Sequence, residues 1–429
     1  MSSAEIDQLI ARAQASERAG RAAEASELWD QVAAKAPGHP KALVVQGRKL
    51  MDRGDPAAAI PLFQRAEAGD RQDPEIPVHL AMAHNARSEL EPALAALDRA
   101  LALDPYFFMA LLSKAAVLER MDRPRLAAKV YANAIKIAPP PERLPASLRR
   151  GLERAHEVVQ RNAESMADFL RARTLSIRDQ HSGEDMRRFD ECLDILAGVK
   201  KRQQQDPILL YYPRLPPIPF YDRDLFPWLG ELEAATDAIR QELAVVMRED
   251  RAQFAPYIQY RPGDPVNQWT ELNHSPDWST FFLWRDGARQ DANCARCPNT
   301  TALLERLPLA HQQSYGPTAM FSVLAPRTHI PPHTGSANTR LIVHLPLILP
   351  EKCSFRVGNE TRDWKMGEAW VFDDTIEHEA WNNSDQTRVI LILDIWNPLL
   401  SPAERALVES MMIALNEYQA GEQAKYSPR

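Results

Sequence analysis

The chain has 429 residues, of which 45% are apolar and 25% are charged, and 51 basic against 58 acidic side chains give a formal net charge of −7. This length predicts two to three folding units, and the mild acidity argues against a nucleic-acid-binding protein, which needs a basic face. No apolar run approaches the ~20 residues of a membrane span, and the first residues show no signal-peptide pattern. Four cysteines are too few for a disulfide framework. A cytoplasmic protein without membrane or nucleic-acid partners is therefore expected.

The first third of the chain repeats itself every 34 residues. Each copy has an alanine followed four positions later by a large apolar residue, and these pairs are Ala25 and Trp29, Ala59 and Phe63, Ala93 and Leu97, and Ala127 and Tyr131. Small residues allow two antiparallel helices to approach closely, and a large residue one turn on fills the groove between them. The spacing resembles that of tetratricopeptide repeats, which stack into an α-solenoid with a concave surface. We predict such repeats over residues 1–140, followed by a helical cap and linker over 141–205.

The pattern changes after a polar and proline-rich stretch near residue 205, and we predict a last domain over 206–429. A helix is predicted over 228–250, and Ser401, Pro402 and Glu404 predict a capped final helix. Between these helices, short apolar or alternating runs indicate strands, for example at 321–325, 341–349, 369–372 and 389–396. Successive strands without helical patterns between them favour an antiparallel sandwich or barrel. The fold class expected is multidomain, with an α-solenoid ahead of a β domain.

Candidate ligands for a metal and for a carboxylate lie in the β-rich part. His378 follows His333 by 45 residues, and Arg388 comes ten residues later at the start of an apolar strand. Neutral imidazoles suit Fe(II), and a guanidinium fork binds a carboxylate through two hydrogen bonds. A single histidine in a strand is more often packed or exposed than a ligand, and a single arginine is usually solvated. The order and spacing of the three residues, rather than their types, resemble the non-haem iron oxygenases built on a double-stranded β-helix, or jelly roll.

Distinctive short motifs extend over nearly half of the chain, from about residue 206 to 400. They are Asp277-Trp278-Ser279, Leu283-Trp284, His333-Thr334-Gly335, Asn338-Thr339-Arg340-Leu341, His344-Leu345, Asn359-Glu360-Thr361-Arg362, Trp364, Phe372-Asp373-Asp374, Glu377-His378-Glu379, Arg388 and Asp394-Ile395-Trp396-Asn397-Pro398. Together these motifs resemble the aspartyl/asparaginyl β-hydroxylase family of 2-oxoglutarate oxygenases. Tetratricopeptide-like repeats also occur ahead of the oxygenase domain in that family.

The resemblance implies a role for each matching residue. His333 and His378 would bind Fe(II), and Gly335 stands where related oxygenases have a third, carboxylate ligand that this family lacks. Ser322 and Arg388 would hold the distal carboxylate of 2-oxoglutarate. The implied enzyme is a dioxygenase that consumes O2, converts 2-oxoglutarate into succinate and CO2, and hydroxylates a C–H bond.

Two further side chains would contact cosubstrate or substrate. His344 would lie near the metal-binding end of 2-oxoglutarate, and Arg340 would meet an acidic group of the substrate. Animal members of the family have a second arginine two residues after Arg340, whereas this chain has Ile342, so specificity for peptide aspartate does not follow. The first candidate substrate is an Asp or Asn residue of a peptide or protein, hydroxylated at its β-carbon and captured in part by the repeats.

Other interpretations stay open at this point. Related oxygenases that lose the carboxylate ligand can halogenate, so Gly335 also allows a halogenase. A lipid or small-metabolite hydroxylase uses the same chemistry, and a non-catalytic tetratricopeptide scaffold is the alternative from a different class. Cys294 and Cys297 form a C-x-x-C without the second pair of a zinc site, which favours an ordinary loop over a redox or metal role. Four carboxylates near His378 are expected to be turn or supporting residues, and they are Asp373, Asp374, Glu377 and Glu379.

Overall fold

A computed structural model describes residues 3–312 and 314–426, and the chain divides into two compact units between Lys200 and Lys201. The helices of the first unit are α1 (Ser3–Arg18), α2 (Ala22–Lys35), α3 (Pro40–Asp52), α4 (Pro56–Gly69), α5 (Glu75–Ala86), α6 (Leu90–Leu103), α7 (Phe108–Arg120), α8 (Pro124–Ile137), α9 (Ala146–Gln180) and α10 (Arg187–Ala197). Helices α1 to α8 form four successive pairs, as the 34-residue period predicts.

The repeat positions form the core of the first unit. The alanines at 25, 59, 93 and 127 are at most 3% exposed, and so are the large residues that follow them. Gly47 of α3 shows why small residues recur at the helix crossings, because a Cβ there would lie 2.5 Å from Cε1 of Phe63 in α4. The predicted helical solenoid is confirmed.

The second unit contains the remaining helices and all of the strands in the described part of the chain. Its helices are α11 (Leu229–Ala234), α12 (Thr236–Glu249), α13 (Asp291–Arg296), α14 (Pro298–Leu304) and α15 (Pro402–Tyr426). Its strands are β1 (Ala255–Pro256), β2 (Trp278–Arg285), β3 (Ala288–Arg289), β4 (Ala319–Leu324), β5 (Thr328–His333), β6 (Arg340–Ile348), β7 (Cys353–Val357), β8 (Glu360–Asp363), β9 (Trp370–Phe372), β10 (His378–Asn382) and β11 (Arg388–Trp396).

The helix predicted over 228–250 is two helices instead of one. The hydroxyl of Thr236 donates to the carbonyl of Glu233 at 2.6 Å, so a side chain takes the place of a backbone donor at the junction between α11 and α12. The predicted cap of the last helix is present, since the backbone N–H of Ser401 donates to Glu404 and the N–H of Glu404 donates to the Ser401 hydroxyl. None of the helices in the described part of the chain is long and apolar enough to cross a membrane.

The strands form two antiparallel sheets. The larger sheet has the order β1-β2-β4-β11-β6-β9, with β3 beside β2, and the smaller has the order β5-β10-β7-β8. From β4 onwards the pairing is nested, because β4 pairs with β11, β5 with β10, β6 with β9 and β7 with β8. Nested pairing of this kind is typical of a jelly roll. The predicted antiparallel β domain is confirmed.

Candidate active site

The candidate site is a cavity of about 330 Å³ between the two sheets. Side chains alternate between the faces of a strand, so every second residue of β11 lines this cavity, namely Arg388, Ile390, Ile392 and Asp394. The neighbouring strands add Met320 and Ser322 from β4, and Arg340, Ile342 and His344 from β6. At ~3.3 Å per residue, Arg388 and Asp394 mark two ends of the cavity that are about 20 Å apart.

The two histidines singled out in the sequence come together on the smaller sheet. The register of β5 and β10 places His333 directly opposite His378, and their ring centroids are 4.0 Å apart. Both side chains line the cavity. The 45-residue separation in sequence is therefore closed by a single cross-strand pair.

Local backbone contacts fix how each imidazole is oriented. Nδ1 of His333 donates to the carbonyl of Pro331 at 2.8 Å, and Nδ1 of His378 donates to the carbonyl of Ile376 at 3.0 Å. Because a carbonyl only accepts, each Nδ1 carries the proton and each Nε2 keeps a free lone pair. Burial lowers the pKa of His333, and burial followed by the neighbouring His333 lowers the pKa of His378 well below its ordinary value. Two neutral imidazoles that share a cavity are suitable ligands for a divalent cation.

Arg388 is buried at one end of the cavity, and two of its nitrogens have no hydrogen-bond partner in the described part of the chain. It is 1% exposed, and its Nε and Nη1 atoms have no hydrogen-bond acceptor among the described residues. The guanidinium carbon lies 5.0 Å from the ring centre of Trp364. Burial lowers the pKa of Arg388 to about 10. A buried and unpaired cation is costly, so this end of the cavity is built to receive an anion.

Two other polar side chains converge on the same end. Nδ1 of His344 is buried without a partner, and burial followed by Arg388 lowers the pKa of His344 well below its ordinary value. The hydroxyl of Ser322 accepts a hydrogen bond from Nε1 of Trp278 at 3.1 Å. Because that lone pair is occupied, the Ser322 proton is free to be donated into the cavity. The structure therefore brings together Ser322, His344 and Arg388, the three residues that the resemblance assigns to 2-oxoglutarate.

Arg340 lines the cavity, but it is already paired. Its Nη1 atom donates to Oδ2 of Asp394 at 2.5 Å and to the carbonyl of Tyr315 at 2.7 Å. The side chains of Arg340 and Asp394 are 12% and 3% exposed. Oδ1 of Asp394 also accepts the backbone N–H of Thr318. The guanidinium of Arg340, which was predicted to meet an acidic group of the substrate, is thus already paired with the carboxylate of Asp394.

Asp374 is a cavity residue whose position the sequence did not reveal. A Cβ at Gly335 would lie 1.9 Å from Oδ2 of Asp374, so the absence of a side chain at position 335 makes room for this carboxyl group. Burial raises the pKa of Asp374 to about 7, while Arg340 acts in the opposite direction. The only sequence signal was the pair of adjacent carboxylates after β9, which is equally typical of a turn.

The other candidate residues have structural surroundings. Asp373 accepts from Thr375 and Gln205, and Glu379 on the outer face bonds to Arg356 and to His329. Cys294 and Cys297 are buried free thiols, and burial raises the pKa of Cys297 to about 12. No group of three or more His, Cys, Asp or Glu side chains within residues 3–312 and 314–426 is placed to hold a metal.

An extended segment over residues 205–211, which we call the strap, crosses the cavity mouth. The backbone N–H of Ile208 donates to the carbonyl of Gly335 at 2.9 Å, and the N–H of Leu209 donates to Ser336. Ile208 lines the cavity while remaining 78% exposed. The strap starts at the predicted boundary between the linker and the last domain, and its sequence carries no strand pattern that would have predicted its contact with Gly335.

Comparison with known proteins agrees with this geometry. Residues 233–398 match the aspartyl/asparaginyl β-hydroxylase family, and residues 50–106 match the tetratricopeptide repeat family. The stretch that matches the aspartyl/asparaginyl β-hydroxylase family lies within the second unit. The resemblance drawn from the sequence motifs is therefore confirmed, and so is the presence of tetratricopeptide repeats ahead of the hydroxylase domain.

Curated relatives of the hydroxylase domain differ in name. An ornithine lipid ester-linked acyl 2-hydroxylase from Rhizobium tropici is 40% identical over 197 residues, which make up 45% of this chain and 66% of that protein. Human aspartyl/asparaginyl β-hydroxylase is 37% identical over 175 residues, or 41% of this chain and 22% of the human protein. The chain thus spans less than two thirds of the length of the relatives it matches.

Solved structures also match part of the chain. A crystal structure of MamA is 23% identical and covers 35% of this chain and 96% of the MamA chain, with a TM-score of 0.27.

Proposed function

We propose that the hydroxylase domain is an Fe(II)- and 2-oxoglutarate-dependent dioxygenase that hydroxylates a C–H bond. The observation that carries this proposal is the pairing of His333 with His378 in the same cavity as the guanidinium of Arg388, two of whose nitrogens have no acceptor among the described residues. When bound, iron and 2-oxoglutarate would supply the O2 chemistry. The chain's own residues supply binding and orientation.

The residues that would hold iron are His333 and His378. Each offers the lone pair of Nε2 in a fixed tautomer, because Nδ1–H donates a hydrogen bond to a main-chain carbonyl. Asp374 lies beside Gly335 in the same cavity. It can hold or release a proton there near neutral pH, because burial raises its pKa to about 7.

The residues that would hold 2-oxoglutarate are Arg388, Ser322 and His344. Arg388 offers a guanidinium that lacks an acceptor, and Ser322 offers a hydroxyl proton. A charge-assisted hydrogen bond of this kind contributes ~1.5–3 kcal/mol. The surrounding Ile390, Ile392 and aromatic side chains keep water from this end of the cavity, which strengthens the electrostatic contacts.

The test is release of succinate from 2-oxoglutarate by the full chain, with Fe(II) and O2 and without added substrate. We expect iron-dependent succinate in the wild type, and its loss in His333→Ala and His378→Ala together with loss of Mn(II) binding by electron paramagnetic resonance. His329→Ala is the matched control, because His329 lies on the same strand but stacks on Trp381 at the outer face. That variant should bind Mn(II) like the wild type.

Several outcomes would contradict the proposal. Wild-type protein that binds no Mn(II) and forms no succinate would favour a non-catalytic scaffold. Succinate formation that survives His378→Ala would remove the proposed metal site. A chlorinated rather than hydroxylated product in the presence of chloride would indicate a halogenase.

Two substrate classes come from the names of the relatives. The human relative is named for Asp and Asn residues, and a tetratricopeptide array could capture a peptide or protein that carries them. The Rhizobium relative is named for an ester-linked acyl chain, and Ile342, where animal members have arginine, favours this second class. A cytoplasmic location remains part of the proposal.

A further inference from the structure

One wall of the cavity is a loop instead of a strand. Residues 258–274, which we call the cover loop, lie between β1 and β2 and contain a short 3-10 turn at Asn267–Trp269. Ile258, Tyr260 and Trp269 of this loop line the cavity. Because loops open more readily than paired strands, the position of this wall depends on the individual contacts that hold the loop.

The cover loop reaches the histidine pair through Trp269. The ring of Trp269 meets the ring of His333 edge-on, with centroids 5.0 Å apart, and its centroid lies 5.9 Å from that of Trp278. Trp269 is buried, at 9% exposure. On the proposed function, in which His333 binds the metal, the indole of Trp269 therefore covers one side of the metal site.

His274 closes the cover loop at its base. Nε2 of His274 donates to the carbonyl of Tyr260 at 2.8 Å, and the backbone N–H of His274 donates to the carbonyl of Ile258 at 2.9 Å. The side chain of the neighbouring Asn273 accepts the backbone N–H of Tyr260 at 2.9 Å. These three hydrogen bonds join the first residues of the loop to the last ones.

The conformation of His274 indicates that its side chain has a specific role. Its φ is +56°, in the left-handed region that few residues other than glycine adopt. The imidazole is exposed, so burial of an apolar surface does not account for it. A glycine would suit the backbone better, but it could not make the hydrogen bond to Tyr260. The bond to Tyr260 is therefore what the imidazole adds at this position.

We propose that His274 is a positioning residue that latches the cover loop and thereby holds Trp269 over the metal site. When the loop opens, metal and water can reach His333 and His378, and the latch sets how often the loop opens. The inference rests on the proposed metal site and adds a residue that controls access to it.

The first experiment measures the latch in the metal-free full chain. Hydrogen exchange of the cover-loop amides, followed by mass spectrometry, reports how often the loop opens. His274→Gly keeps the left-handed backbone and removes the donor, so exchange in the loop should be about fivefold faster than in the wild type. His274→Gln keeps an N–H donor at a similar reach and should restore most of the protection. Asn273→Ala removes the other side-chain bond of the latch and serves if His274→Gly does not fold.

The matched control for the glycine substitution is Lys352→Gly. Lys352 is exposed and also has a left-handed backbone, with a φ of +64°, but it does not line the cavity. Hydrogen exchange in the cover loop should be the same in this variant as in the wild type.

The second experiment measures how fast Mn(II) enters and leaves. Stopped-flow tryptophan fluorescence follows binding and the release of Mn(II) to EDTA, because Trp269 and Trp278 line the cavity. If the metal passes through the open loop, His274→Gly should raise both rates by the same factor, about fivefold, and leave the Kd unchanged. Damage to the histidine pair would instead raise the release rate alone and weaken binding.

A double-mutant cycle tests whether His274 acts through Trp269. Trp269→Leu removes the indole cover, so Mn(II) exchange should be at least as fast as in His274→Gly. Adding His274→Gly to Trp269→Leu should then give no further increase. Additive effects of the two substitutions would overturn the proposed action through the indole.

The remaining outcomes separate this inference from the proposed function. Loop exchange at the wild-type rate in His274→Gly, or faster loop exchange with unchanged Mn(II) rates, would overturn the inference while leaving iron-dependent succinate release intact. Faster loop exchange in Lys352→Gly would also overturn it, because the effect would not be specific to His274. Wild-type protein that binds no Mn(II) would overturn the proposed function and the role of the latch in metal exchange, whereas faster loop exchange in His274→Gly would still support the latch itself.

Discussion

Replacing Arg388 with methionine tests whether the cavity is built around a missing anion. Arg388 is 1% exposed and has two nitrogens without an acceptor. Burial lowers its pKa to about 10, well below the ordinary value of an arginine. At ~1.4 kcal/mol per pKa unit, the apo protein holds the charged form at a cost of about 3 kcal/mol. Methionine has a similar length and no charge, so Arg388→Met should leave the apo domain as stable as the wild type or more stable by ~1–3 kcal/mol.

The same variant should lose most of its affinity for 2-oxoglutarate. The lost charge-assisted hydrogen bonds contribute ~1.5–3 kcal/mol, which corresponds to a rise in Kd of about 10-fold to 150-fold. Calorimetric titration of the Mn(II) protein measures this Kd. Thermal unfolding followed by tryptophan fluorescence reports mainly on the second unit, because eight of the nine tryptophans lie at position 228 or beyond.

The control for this prediction is Arg327→Met. Arg327 forms an exposed ion pair with Asp385 at 2.7 Å, and exposed pairs contribute little, so neither stability nor 2-oxoglutarate binding should change measurably. Wild-type affinity in Arg388→Met would refute the assignment of the cosubstrate carboxylate. A loss of more than ~2 kcal/mol of apo stability would show that the guanidinium is satisfied in the free protein.

Three further predictions concern a positioning residue, a partly buried histidine and a helix crossing. Trp278→Phe removes the donor to Ser322, so titration should show 2-oxoglutarate binding weakened about threefold to tenfold with Mn(II) affinity unchanged. Burial, followed by the charge of Arg48, lowers the pKa of His79 to about 4, so on acidification the unfolded chain binds the proton before the folded chain does. Urea unfolding should therefore show that the free energy of unfolding falls by about 2 kcal/mol between pH 7.5 and pH 5. His79→Phe should abolish this pH dependence. Gly47→Ala should destabilise the repeats by ~1–2 kcal/mol in the same assay, because overlap with a buried ring outweighs the gain of ~1 kcal/mol in helix propensity.

Each of these predictions has its own control and contrary result. Loss of Mn(II) binding in Trp278→Phe would mean that the tryptophan supports the histidine pair instead of Ser322. An equal pH dependence in wild type and His79→Phe would place the titrating group elsewhere. Gly38→Ala is the partner for Gly47→Ala, since a Cβ at position 38 has no neighbour within 4 Å, and equal stability of the two variants would contradict the close approach of α3 and α4.

The parts of the fold that follow from local periodicity could be predicted from the sequence. The helix pairs could be predicted from the 34-residue spacing, because each repeat has a buried alanine at the corresponding position. The alternating runs gave β4, β6, β9 and β11 to within two residues. The break between α11 and α12 was missed because one hydroxyl, that of Thr236, decides it, and no periodic pattern records such a contact.

The histidine pair could be predicted and its surroundings could not. His333 and His378 are marked by motif and spacing, whereas the partner of Arg340 is 54 residues away in sequence. Asp394 reads in sequence as a polar residue that ends a run of apolar positions, and only the pairing of β6 with β11 shows that it faces Arg340. Asp374 was missed for a similar reason, because its place depends on the volume left beside Gly335.

The two imidazoles are each held by the carbonyl two residues earlier in the chain, at Pro331 and Ile376. The hydrogen bond that orients each ring therefore forms within a three-residue segment of the chain. Saturation mutagenesis read out by Mn(II) affinity should therefore give a sparse map, with intolerance concentrated at the histidines themselves. Such self-contained segments also suit transplantation, because either one could be placed on a paired strand of another β scaffold and still present its nitrogen at a set angle.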